Sequence, residues 1–206
     1  MTRSSDGLEI RRLPVTQLSR EDFAPYGVVI GPESAESPNF NRAPGNLGFL
    51  WIQRELEFPR QAYLGALRYY NRAMRCAFLQ KHPESTVVLL PMGGQASIIF
   101  VALDDGDGSP DLDSARAVVL DGRQGVIIHP GTWLRYAFPI GPWVDFAYIT
   151  QRVDPATANS TDDTVRYLLD EEVGLALDVE FASPDGADMG PGDSVAALPP
   201  KDPPHA

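Results

Sequence analysis

Short runs of Val, Ile, Leu, Phe, Tyr and Trp recur along the chain, broken by clusters of Pro, Gly and Asp. Runs of that length and content predict strands. They fall at Phe49–Gln53, Tyr63–Tyr70, Arg75–Lys81, Thr86–Leu90, Ala96–Leu103, Ala115–Leu120, Gly125–His129, Trp133–Phe138, Val144–Thr150 and Leu175–Phe181. Thr164–Leu169 fits either a helix or a strand. Strict alternation in Tyr63–Tyr70 puts Leu64, Ala66 and Arg68 on one face. Asp104-Asp-Gly-Asp-Gly-Ser-Pro110 predicts a turn. Pro139-Ile-Gly-Pro142 predicts a tight hairpin that sets Tyr136 opposite Asp145, or Arg135 opposite Asp145 after a one-residue bulge. Helix signals are scarce: Ser19-Arg-Glu-Asp22 has the form of a capping box, followed by Phe23 and Tyr26. Many short strands at regular spacing predict an all-β sandwich or barrel with one or two short helices.

Composition sets the limits of that domain. The chain's 206 residues suit one domain with tails. Ser183 to Ala206 holds six Pro, three Gly and four Asp in 24 residues, which cannot bury enough apolar surface to offset the entropy of ordering. The folded body is therefore expected at 10–182 and a disordered tail at 183–206. A formal charge of −11 argues against non-specific binding to nucleic acid or an anionic membrane, and leaves room for a local basic pocket. Cys76 is alone, so no internal disulfide can form. No run approaches the roughly 20 apolar residues of a membrane span. The polar first twelve residues lack the apolar segment of a secretory leader, so the cytoplasm is the expected location.

The common catalytic motifs are missing. There is no Gly-rich phosphate loop, no dinucleotide fingerprint, no Cys-x-x-Cys, no His-Glu-x-x-His and no Gly-x-Ser-x-Gly. Of three histidines, His205 lies in the tail, which leaves His82 and His129. In Leu79-Gln-Lys-His-Pro83, Lys81 beside His82 suits binding a carboxylate and moving a proton. A solvated Lys and a His closing a turn fit the same spacing. In Gly125-Val-Ile-Ile-His-Pro-Gly-Thr-Trp-Leu-Arg-Tyr136, His129 is either a base or ligand, or a His held by backbone at a barrel rim. Arg135 and Asp145 either serve a pocket or form a surface pair. Arg68 either reaches a cavity as a carboxylate fork or lies on an exposed edge.

An apolar strand running into His129-Pro-Gly131 and then Trp133 resembles the second cupin motif. Leu134 stands where that motif would put a metal-binding His, and Leu cannot bind a metal. More broadly, the chain resembles the ureidoglycolate lyase family. The landmarks are Leu13-Pro-Val, Phe23-Ala-Pro-Tyr-Gly27, Lys81-His-Pro83, Leu90-Pro-Met92, Phe100-Val-Ala-Leu103, Pro110-Asp-Leu112, Arg123-Gln-Gly-Val126, His129, Trp133 and Asp145-Phe146, in that order. It departs from the family pattern at Gln80 (usually Glu), Val87 (usually Gln), Leu134 (usually His) and Thr150-Gln-Arg152 (usually Asp-Arg).

The resemblance implies a cupin-like β-barrel that is commonly a homodimer. It implies cleavage of ureidoglycolate to glyoxylate and urea, in allantoin degradation. By the same resemblance Arg68 and Lys81 hold the substrate carboxylate, His82 or His129 moves protons, and Arg135 or Asp145 orients the ureido group. Trp133 and Tyr136 complete the substrate-binding set. No cofactor is called for, and a divalent metal stays open despite Leu134. The expected partners are a small anionic metabolite and a second copy of the chain. Two other readings fit the residues: a cupin-like enzyme for a different small ureido or 2-hydroxy acid, and a non-catalytic barrel that binds a small acid.

Overall fold

A computed structural model describes residues 2–3, 7–31, 54–151 and 164–180. The predicted strand at 49–53 and the tail at 183–206 lie outside them. The elements run β1 (Thr2–Arg3), β2 (Glu9–Gln17), α1 (Arg20–Phe23), β3 (Gly27–Ile30), β4 (Ala62–Tyr70), β5 (Phe78–Lys81), β6 (Val87–Met92) and β7 (Ser97–Asp104). They continue with β8 (Pro110–Leu120), β9 (Gly125–Ile128), β10 (Trp133–Pro139), β11 (Trp143–Gln151), β12 (Val165–Leu168), α2 (Leu169–Glu172) and β13 (Leu175–Glu180). Among the described residues no helix is long and apolar enough to cross a membrane.

Two sheets make an all-β sandwich. One has the order β1-β2-β8-β7-β10-β5-β12, with β13 also on β2; the other has β3-β9-β6-β11-β4. Side chains from both sheets meet between them, including Val87, Leu89, Ile99, Val101, Leu134 and Phe146. A second apolar layer, including Leu79, Ile98, Phe100, Trp133, Phe138 and Leu177, covers the other face of the larger sheet. The Ile98-Ile-Phe-Val-Ala102 run is apolar throughout because each face of β7 is covered.

Strands β1, β2 and β3 carry no clear sequence signal. β2 reads Glu-Ile-Arg-Arg-Leu-Pro-Val-Thr-Gln, too polar to stand out. It is held by parallel pairing to β13 on one side and β8 on the other, which local patterning does not reveal. The β3 segment is only four residues long. Ser19 caps α1 as the capping box predicts, its hydroxyl accepting from the Asp22 N–H. The ambiguous 164–169 segment resolves into β12 followed by the first residue of α2.

The hairpin expectation is corrected. Residues 140–142 carry the chain from one sheet to the other, so β10 and β11 are not ladder partners. Asp145 opposes neither Tyr136 nor Arg135; its cross-strand neighbours are Arg68 on β4 and Met92 on β6. Two prolines and a glycine can turn a chain between layers as readily as within one.

A bulge does exist, on β10 against β7. Arg135 opposes Phe100 and Phe138 opposes Ile98, leaving Tyr136 and Ala137 against one residue. Ala137 lies in the inter-sheet core and Tyr136 packs against it. Arg72 serves the bulge by donating to the carbonyls of Ala137 at 2.9 Å and Tyr136 at 3.5 Å.

Candidate active site

The alternation of β5 and β10 decides which side chains meet. Trp133 pairs with Lys81, and Leu134 with Gln80. Directly opposed residues share a face. Trp133 belongs to the outer apolar layer and Leu134 to the inter-sheet core. Lys81 therefore points outward while Gln80 points inward, and His82 follows Gln80.

On the inner side, His82 is buried and its Nε2 lies 3.3 Å from the Tyr136 hydroxyl. Its Nδ1 lies 3.4 Å from the Thr164 hydroxyl. Gln80 is hydrogen-bonded to the Tyr136 phenol, and Tyr69 and Tyr148 are close enough to act on it electrostatically. The Tyr69 and Tyr136 rings stack at 6.3 Å. Burial pushes the Tyr136 phenol well above its ordinary pKa, and pushes Tyr69 up to about 12. Both stay neutral and keep a proton to donate. Gly65 makes room for Tyr148: a Cβ there would stand 2.4 Å from the Tyr148 ring. At the end of β11, the buried Thr150 Oγ1 and Gln151 Oε1 have no hydrogen-bond partner among the described residues.

Arg135 joins this cluster from the bulge. Its guanidinium lies over the Phe78 ring at 3.9 Å, and its charge acts on the Tyr69 phenol. Burial, first of all, lowers its pKa.

The other candidates lie elsewhere. Lys81 pairs with the Asp104 carboxylate, and its amine sits 4.6 Å from the centre of the Trp133 ring. The Trp133 indole N–H donates to the same Asp104 oxygen at 3.1 Å. This knot ties the ends of β5, β7 and β10 on the outer side. Arg68 forks onto Asp145 at 2.6 and 2.7 Å. Arg68, Leu64 and Ala66 do share a face, but it is the outward one. His129 is an exposed turn residue whose N–H donates to the Tyr26 carbonyl at 3.0 Å. Two residues on, Gly131 adopts a left-handed φ of 80°, and its N–H donates to the His82 carbonyl at 2.8 Å. That turn fixes the backbone of His82 without placing His129 in the cluster.

The structure thus brings His82 and Tyr136 together, sets Arg135 over Phe78 where its charge reaches Tyr69, puts Lys81 with Trp133, and pairs Arg68 with Asp145. Sequence reasoning missed Tyr69, Tyr148, Asp104 and Arg72. The alternation that puts Arg68 on one face of β4 puts Tyr69 on the other, so that signal was present in the pattern.

Leu134 is packed in the inter-sheet core. Among the described residues no three or more His, Cys, Asp or Glu side chains gather as a metal would need. A cleft of about 480 Å³ lies apart from the cluster, beside α1, and mixes Glu21 and Asp22 with Arg116. It holds no histidine.

A family model described as ureidoglycolate lyase matches residues 10–175. The chain belongs to the ureidoglycolate lyase family. The ureidoglycolate lyase of Salmonella typhimurium LT2 is 31% identical over 144 residues, covering 66% of this chain and 84% of that protein. That of Salmonella newport is 33% identical over 141 residues, with the same coverage. Among solved structures, RmlC from Streptococcus suis in complex with dTDP-D-xylose superposes with a TM-score of 0.40 at 12% identity, over 65% of this chain and 75% of that one. Within the family pattern, the departures at Gln80 and Leu134 turn out to be cross-strand partners. Where that pattern has Glu and His, this chain has an amide and an alkyl group.

The outer knot has a pH signature. Asp104 is held below the ordinary carboxylate range, chiefly by the Lys81 hydrogen bond and then by the Gly106 N–H. A lowered folded-state pKa stabilises above the unfolded value of about 3.9 and is lost as pH falls through the folded one. Asp104→Asn is expected to cost about 1–2 kcal/mol at neutral pH, after discounting for solvent screening. The gap between variant and wild type should close below pH of about 4. Thermal melts at stepped pH check this; a gap that persists in acid would refute it.

Proposed function

We propose that this chain is a ureidoglycolate lyase that splits ureidoglycolate into glyoxylate and urea. The single observation that carries the reading is a buried His82 in contact with a neutral Tyr136 phenol, inside a chain of this family. Ureidoglycolate carries a hydroxyl, a carboxylate and a urea nitrogen on one carbon. Cleavage needs a base for the hydroxyl proton and an acid for the departing nitrogen. His82 takes the hydroxyl proton, and the oxygen lone pair closes the C=O of glyoxylate. The C–N electron pair leaves with the nitrogen, which takes the Tyr136 proton. The His82–Tyr136 contact then returns the proton from imidazolium to phenolate and resets the pair. Thr164 on the other ring nitrogen orients the imidazole, and Gln80 orients the phenol.

The same reading makes the enzyme a cytoplasmic member of allantoin degradation and a homodimer. Support for the dimer lies on the outward face of the smaller sheet, where Leu64 is 74% and Tyr70 67% exposed on the edge strand β4, with Met92 and Trp143 also exposed nearby. An apolar face ending in a strand with no outer neighbour among the described residues is a surface that a second copy covers.

Two measurements test the reading. Glyoxylate released from ureidoglycolate is trapped as its hydrazone. His82→Asn and Tyr136→Phe should each lower kcat about 10²- to 10⁴-fold with the fold intact by circular dichroism. Wild-type release at the uncatalysed rate would overturn the assignment. Sedimentation should give twice the 22.5 kDa protomer. The double variant Leu64→Glu, Tyr70→Glu should run as a monomer; a monomeric wild type would remove the dimer.

A further inference from the structure

Among the described cations of this acidic chain, two sets differ in what they meet. Arg11, Arg68, Lys81 and Arg123 each have an aspartate within ion-pair distance. Arg72, Arg135 and Arg166 pair with no carboxylate among the described residues, and they gather at one place. Arg135 and Arg166 both take the Phe78 ring, at 3.9 and 5.5 Å. Arg72 lies over the neighbouring Phe138 ring at 4.1 Å, which Arg135 also approaches at 5.9 Å.

Such a cluster is costly when empty. The charges of Arg72 and Arg166 both act against that of Arg135, which burial already disfavours. Arg72 spends its N–H groups on backbone carbonyls, chiefly those of the β10 bulge. Arg135 has no hydrogen-bond partner among the described residues. A guanidinium stacked on a ring keeps its N–H edge for a ligand lying in its own plane, the geometry that a carboxylate fills with two parallel hydrogen bonds. A bound anion would neutralise the repulsion and satisfy those donors at once.

We propose that Arg135, with Arg166 and Arg72 beside it around Phe78 and Phe138, receives the substrate's carboxylate. This rests on the lyase reading and adds the anchor that His82 and Tyr136 lack. The site adjoins them through Tyr69, whose phenol feels Arg135 and Arg72 and whose ring stacks on Tyr136. It also assigns the anchoring to cations other than Arg68 and Lys81, which their own aspartates already neutralise.

The test separates binding from turnover. Arg135→Gln should raise KM for ureidoglycolate about 10- to 100-fold with a much smaller change in kcat. Arg135→Lys should recover only part of it, because an ammonium cannot fork. Glycolate, a small carboxylate that is not cleaved, should raise the melting temperature of the wild type and fail to do so for Arg135→Gln. Arg166→Gln should weaken both effects, and supplies the same readouts if Arg135→Gln misfolds. Arg123→Gln, at a surface pair, should change neither. An Arg135→Gln enzyme with wild-type KM and undiminished glycolate protection would overturn the anchor while leaving the lyase intact. A wild type that releases no glyoxylate, yet is protected by glycolate only when Arg135 is present, would overturn the lyase and keep the anion site.

Discussion

The larger sheet buries both of its faces, and the rest of the molecule follows from that. A strand covered on one side sends every second side chain to water. Here β5, β7 and β10 send alternate residues into two separate apolar layers. Neighbours in sequence are then separated by the thickness of a sheet. Lys81 and His82 are adjacent, yet one ties three strands together on the outside and the other faces a phenol on the inside. Trp133 and Leu134 divide in the same way.

The bulge on β10 breaks this alternation, and it makes the candidate site. It turns two successive residues, Tyr136 and Ala137, toward the inter-sheet core. The displaced carbonyls need donors, because an unpaired buried carbonyl is costly. Arg72 meets that need from beyond the end of β4, and so binds the edge of one sheet to the middle of the other. The aromatic rings around it, Tyr69, Tyr136, Phe138 and Phe78, then bring cations and phenols to one locality.

The inner face of β5 and β10 carries few charges. Gln80 and Leu134 lie opposite each other where the family pattern carries Glu and His. Losing one partner alone would strand a buried charge, which costs far more than losing the pair. With Gln80 and Leu134 there, the face is made of tyrosines, glutamine and one histidine, and Arg135 stands on the bulge.

Alternation, turn residues and composition were enough to determine that this protein is all-β, and the ordered landmarks were enough to determine its family. The capping box at Ser19 and most strand positions were likewise legible, because they rest on contacts between residues close in sequence. Even the common face of Leu64, Ala66 and Arg68 could be read, since a strand has period two. Whether that face looked into a cavity or out to solvent could not, because it depends on which sheet covers it. Only the tertiary structure decided that residues 140–142 cross between sheets, that Asp145 meets Arg68, and that His82 rather than Lys81 faces Tyr136. Each of those facts is a pairing between distant segments. A sequence carries the period of a strand, but the partner that fixes its register and its buried side is set by the packing of the whole fold.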